Sequence, residues 1–125
     1  MSAGSLQILA VDDSRTMRDM IRLTLTGAGF GTHLAEDGVH GLEVLDAIAP
    51  PDAIITDINM PRLDGFGFID AVRRQGAFRA IPILVLTTES AAEMKERARA
   101  AGATGWIVKP FDPEKLVRAL RMVAG

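Results

Sequence analysis

The chain has 125 residues, 48% of them apolar and 24% charged, with a net charge of −2 and no cysteine. That is enough for one domain with a real core, and too apolar for a disordered chain. Without cysteine there are no disulfides, thiolate metal sites or thiol nucleophiles, and the charge lacks the basic stripe that nucleic acid demands.

The charge is unevenly spread. Residues 1–87 carry 7 Lys or Arg against 11 Asp or Glu, and residues 88–125 carry 7 against 5. This suits an acidic partner docking on the C-terminal third, and equally suits two solvated helices of mixed charge. No apolar run has the length of a membrane span, and "MSAGSLQ" lacks the pattern of a secretory signal. A cytoplasmic protein is expected, with residues 1–5 as a short tail.

In chain order, "LQILAV" (6–11) reads as a buried strand. Met17, Met20, Ile21, Thr24 and Ala28 follow at helical spacing, with Gly27 and Gly29 as stop signals. "GTHLAE" (31–36) is a weaker strand closed by the turn pair Asp37-Gly38, and Leu42, Leu45 and Ile48 mark a second helix ended by Pro50-Pro51. "AIITD" (53–57) is a third strand, and Phe68, Ile69 and Val72 mark the helix after it. "IPILVLT" (81–87) is the most β-like run. Ser90 with Glu93 reads as a capping box for a fourth helix that Gly102 can end. "GWIVK" (105–109) is a short last strand. Asp112-Pro113 reads as an N-cap and first turn for a fifth helix, whose buried stripe is Leu116, Leu120 and Val123.

Five apolar strands, each followed by an amphipathic helix, predict an α/β doubly wound parallel sheet covered on both faces. Ligands of such sheets bind beyond the carboxyl ends of the strands. The residues at those ends are Asp12 and Asp13, Asp57, Thr87 and Lys109. Polarity resumes at any strand end, so one such residue has an ordinary explanation. Three carboxylates, a hydroxyl and a lysine converging on one edge point to chemistry. Close carboxylates favour a hard divalent ion with oxygen ligands, and Mg²⁺ is the natural occupant. One carboxylate can then act as a nucleophile towards phosphorus, with the metal and Lys109 neutralising the transferred charge. Asp57, on the central strand, is the candidate acceptor, and Thr87 can bond a phosphoryl oxygen. His33 and His40 lie in the second β–α unit and read as surface residues.

"VDDS", "TDINMPRLDG", "VLTTE" and "GWIVKPF", in order along the chain, resemble the receiver domain of two-component response regulators. The likeness covers residues 1–125 as one domain, and "DDSRTMR" and "EDGVHGLEVL" resemble single-domain chemotaxis regulators of the CheY type. It implies a flavodoxin/CheY-like sheet of order 2-1-3-4-5 with five helices. It also implies a histidine kinase as phosphodonor, Asp57 as phosphoacceptor, and Mg²⁺ on Asp12, Asp13, Asp57 and the Asn59 backbone carbonyl. Thr87 becomes the switch hydroxyl, and Lys109 precedes a cis peptide at Pro110. Asn59 and Glu89 match positions that tune phosphoryl lifetime. Thr88, larger than the residue usual there, would crowd the same site.

The resemblance further implies that an aromatic residue on the last strand turns inward when Thr87 moves. Trp106 stands there in place of the usual tyrosine or phenylalanine, and as edge-strand packing it has an alternative reading. Ser90, Lys95, Trp106, Val108, Lys115 and Arg118 form the expected output surface. A flagellar motor switch protein is the expected partner, with a phosphorelay carrier or phosphate sink as the alternative, and a monomer is the expected state. A haloacid dehalogenase-like phosphatase also uses an aspartyl acceptor, but it needs a second Asp two residues on, where this chain has Asn59. Self-catalysed acceptance and loss of phosphate, rather than enzymatic turnover, is expected.

Overall fold

The computed structural model describes residues 5–124. Five strands, β1 (Gln7–Val11), β2 (Gly31–Ala35), β3 (Ala53–Thr56), β4 (Ile83–Thr87) and β5 (Gly105–Val108), alternate with five helices. The helices are α1 (Arg15–Gly27), α2 (Gly38–Ala47), α3 (Gly65–Arg74), α4 (Ala92–Ala101) and α5 (Pro113–Ala124), with one 3₁₀ turn at Gly76–Phe78. The sheet is parallel throughout in the order β2-β1-β3-β4-β5, as expected.

Alternation along each strand divides the core. Leu9, Val11, Ile54, Ile83 and Val85 pack with Leu45, Phe68, Ile69, Val72 and Ala98 of α2, α3 and α4. Ile8, Ala10, Ile55, Leu84 and Leu86 pack with Ile21, Leu25, Leu116 and Leu120 of α1 and α5. Because both faces are covered, the strands read as continuous apolar runs. Their C-terminal ends share one edge: Val11 pairs with Ala35 and Thr56, and Thr56 with Val85, while β4 and β5 run two residues further to the Thr87–Val108 pair.

Several local expectations change. Met20 is 45% exposed, and the buried centre of α1 is Ile21 with Leu25. Helical spacing defines a stripe, but which side of it meets the sheet is set by how the helix docks. The Ser90–Glu93 capping box does not form: α4 starts one residue later, at an Ala91 N-cap with no side-chain bond. The other end of α4 closes as predicted on Gly102, at φ +115°. Its carbonyl accepts from Arg73 Nε and Nη2 at 3.0 and 2.8 Å, which ties the end of α4 to α3. Asp112 does cap α5, accepting from the Glu114 amide at 2.9 Å. Ile48 is the extended residue that ends α2 rather than part of it.

Both histidines are half-buried and bonded, not free surface residues. His33 Nε2 lies 3.3 Å from Gln7 Oε1, and His40 Nδ1 accepts from the Glu36 amide at 3.1 Å.

Candidate functional site

The C-terminal strand ends deliver the predicted residues to one edge. Asp12, Asp57 and Lys109 each sit one position beyond a strand, and their amides extend the sheet by bonding to Ala35, Val11 and Thr87 carbonyls at 3.0, 2.9 and 2.7 Å. Lys109 Nζ donates to Asp12 Oδ2 and Asp57 Oδ2, both at 2.7 Å. Asp57 Oδ1 accepts from the Ile58 amide at 2.6 Å, and Asp12 Oδ1 from the Ser14 amide at 2.9 Å. Carboxylate oxygens of Asp12, Asp13 and Asp57 all lie within 4.8 Å of one another. Asp12 and Asp57 are buried and Asp13 is exposed, so the cluster opens to solvent on the Asp13 side. Three oxygen donors with an open side fit a hard divalent ion that keeps several waters.

Burial pushes the Asp12 carboxyl above its ordinary value, and the bonds from Lys109 and the Ser14 amide only partly offset it. Burial pushes Lys109 down, but its bonds to Asp12 and Asp57 outweigh this and hold the ammonium protonated. An acid raised on folding stabilises the fold while protonated and costs stability as pH rises through the raised value. Asp12→Asn is therefore expected to stabilise the metal-free protein at pH 7 by ~1 kcal/mol; urea unfolding without divalent ions measures it. Equal or lower stability would mean that Lys109 fully compensates the buried charge.

Around this centre, Thr87 is fully buried and its Oγ1 accepts from the Glu89 amide at 3.4 Å. Asn59 Nδ2 donates to Glu89 Oε2 at 3.2 Å, and Trp106 Nε1 donates to the Glu89 carbonyl at 3.0 Å. Thr88 is exposed. The Lys109–Pro110 peptide is cis. A Cβ at Gly65 would strike the Asp57 carbonyl oxygen, so only glycine lets α3 begin this close to the acceptor candidate.

Of the residues expected on the output surface, Lys95 lies on α4, Trp106 and Val108 on β5, and Lys115 and Arg118 on α5. Lys95 and Trp106 line a cleft of about 150 Å³ between α4 and β5. Arg118 also lines a groove of about 500 Å³ between α1 and α5, with Thr24 and Arg121. Ser90, Val108 and Lys115 are exposed.

Two features escaped the sequence reading. Arg18 Nη1 donates to the Asp12 carbonyl at 2.7 Å, bracing the acidic loop from α1. Arg62, at φ +65°, bonds Asp37 through Nε–Oδ2 at 2.8 Å and Nη2–Oδ1 at 3.1 Å. Asp37 is also the N-cap of α2, accepting from the His40 amide at 2.9 Å. An Asp just before a helix signals such a cap; Arg62 carries no local signal. The guanidinium holds the Asp37 carboxyl below its ordinary value, against the effect of burial. The stability gained is present above the ordinary 3.8 and lost as pH falls through the folded value.

Residues 8–121 match the model of the response regulator receiver domain. The chain belongs to that family. This receiver domain is 42% identical over 121 residues to the chemotaxis protein CheY1 of Helicobacter pylori, covering 96% of this chain and 98% of that one. It superposes on the chemotaxis protein CheY4 of Vibrio cholerae with a TM-score of 0.91 at 46% identity, covering 96% and 99% of the two chains. The receiver domain of sensor histidine kinase PA1611 from Pseudomonas aeruginosa aligns with a TM-score of 0.89 at 29% identity over 98% and 99% of the chains. That structure has a magnesium ion coordinated in its active-site cleft. The fold and the CheY-like resemblance read from the motifs are thus established. Among the described residues, no helix is long and apolar enough to cross a membrane.

Proposed function

We propose that this receiver domain accepts a phosphoryl group on Asp57 from a histidine kinase, with Mg²⁺ on the acidic cluster, and signals by binding a partner in chemotaxis. The observation that carries it is the convergence of Asp12, Asp13, Asp57 and Lys109 at one sheet edge. Asp12, Asp13, Asp57 and the Asn59 carbonyl would hold the ion, which supplies charge neutralisation for the transferred group.

An Asp57 carboxylate oxygen attacks phosphorus. The bond from phosphorus to the donor breaks, and its electron pair leaves with the donor. Lys109, bonded to Asp57, neutralises an oxygen of the arriving group, and Thr87 donates to another after a short shift. No proton relay is needed in this step, which matches the lack of a second Asp beside Asp57. Loss of the phosphoryl group requires a water, and Asn59, which donates to Glu89, would orient it. The domain acts as a self-modifying switch rather than a turnover enzyme.

Phosphorylation adds about −1.5 to −2 charges at the strand edge. A shift of Thr87 displaces Glu89, whose carbonyl is already bonded by Trp106. The indole thus couples the site to the α4–β5 cleft, where Lys95 lies. The relatives named as chemotaxis proteins support the chemotaxis role, and a flagellar motor switch protein as partner and a cytoplasmic location follow from the motif resemblance.

The test is intact mass after incubation with a small-molecule acyl phosphate. Gain of one phosphoryl group with Mg²⁺, abolished by a chelator, is the expected outcome. No gain under saturating Mg²⁺ would sink the proposal.

A further inference from the structure

We infer that the Arg62–Asp37 ion pair is a positioning device for the metal-binding loop, and that it sets the affinity of this receiver domain for Mg²⁺. The inference deepens the proposed site and rests on that reading.

The segment from Asp57 to Asp64 leaves β3 carrying the phosphoacceptor candidate and Asn59, then turns into α3. Its ends are anchored: the Asp57 amide bonds the Val11 carbonyl at 2.9 Å, and the Gly65 amide bonds the Ile58 carbonyl at 2.8 Å. Between them, Met60 and Leu63 are half-buried against the core but Asn59, Pro61, Arg62 and Asp64 are exposed, so burial alone does not fix the middle of the loop. Two attachments to the start of α2 do so instead. The Gly38 amide bonds the Leu63 carbonyl at 3.1 Å, and Arg62 forks onto Asp37.

Asp37 is a firm anchor, because its side chain is only 4% exposed and also caps α2. Arg62 holds a left-handed backbone that a long side chain rarely adopts. Such a conformation persists where the surroundings over-determine it, and the two-point bond to Asp37 does this here. The fixed residue lies only three positions after Asn59, the source of the expected carbonyl ligand. Partners that orient metal ligands without touching the metal are worth about 10–100-fold in affinity.

Charge alone predicts something different. Removing a cation near an acidic metal site should tighten Mg²⁺ binding, and removing an anion should weaken it. Loss of positioning weakens binding in both cases. Arg62→Asn keeps a residue that tolerates the left-handed backbone, and Asp37→Asn keeps an oxygen to cap α2, so both are suited to fold.

The full-length native chain, each variant and the double variant are titrated with Mg²⁺ alone, following amide chemical shifts, and hydrogen exchange is read at Asn59 and Met60 without metal. The expected result is a Kd raised about tenfold in either single variant. The double variant should be little weaker than the singles, because the two residues act as one unit. Faster exchange at Asn59 and Met60 should accompany it. A Kd within about twofold of native in both variants, or tighter binding in Arg62→Asn, would overturn the inference while leaving the metal site intact. Absence of Mg²⁺-dependent shifts in the native chain would overturn the metal-site reading and this inference together.

Discussion

Asp57→Asn is expected to take up no phosphoryl group from an acyl phosphate under conditions that load the native chain, a rate loss of at least about 10⁴-fold. The three carboxylates are close enough that position alone does not choose among them. Their surroundings do. Asp12 is 1% exposed, and Lys109, Ser14 and burial enclose its oxygens. Asp13 is exposed and has no bond to Lys109 among those observed. Asp57, at 8% exposure, is the less enclosed of the two acids bonded to Lys109 and lies at the end of the central strand. The amide of Asn keeps an acceptor for the Ile58 amide, so the loop should hold, but it lacks an anionic oxygen to attack phosphorus. Intact mass reports the result, and peptide mapping locates any label. Undiminished uptake in the variant, with label on Asp12 or Asp13, would reassign the acceptor.

Lys109→Met should have the second largest effect, and on two properties at once. Without Mg²⁺ the ammonium is the cation shared by Asp12 and Asp57, and its removal leaves two largely buried carboxylates unpaired. Breaking such a pair from one side costs about 3–5 kcal/mol. Because Asp12 is already raised by burial, part of that cost should be relieved by its protonation as pH falls, so the deficit should be larger at pH 7 than at pH 5. Saturating Mg²⁺ should restore much of the lost stability by binding the native state. Phosphoryl uptake should nevertheless stay about 10²-fold slow, since no side-chain cation remains at the transferred group. Urea unfolding with and without Mg²⁺, together with the time course of the mass gain, separates the two effects. Unchanged metal-free stability would show that Lys109 does not balance the acidic cluster.

These effects depend on a site whose members were visible in the sequence. Apolar strands alternating with amphipathic helices determined a covered parallel sheet, because only that arrangement buries both strand faces. Once the sheet was parallel, the last residue of each strand had to fall at one edge. Asp12, Asp57, Thr87 and Lys109 could therefore be grouped although they are far apart in the chain. Strand ends misjudged by one residue, as at Asp57 and Lys109, did no harm, since the sheet's hydrogen bonding continues through them.

Tertiary structure decided what depends on how elements dock. Helical spacing on α1 suited Met20 as well as Leu25, and only packing against the sheet left Met20 in solvent. Ser90 and Glu93 had the spacing of a capping box, yet α4 begins one residue too late for it. The Arg62–Asp37 bond joins a loop to a helix 25 residues away. It needs a left-handed backbone at Arg62 and the start of α2 within reach, and no local pattern encodes either. The same holds for Lys109 standing between Asp12 and Asp57 rather than beside one of them. Residue type and spacing determined which groups meet at the edge; the packed backbone decided their partners, because hydrogen bonds and ion pairs are fixed by ångström-scale distances that periodicity does not carry.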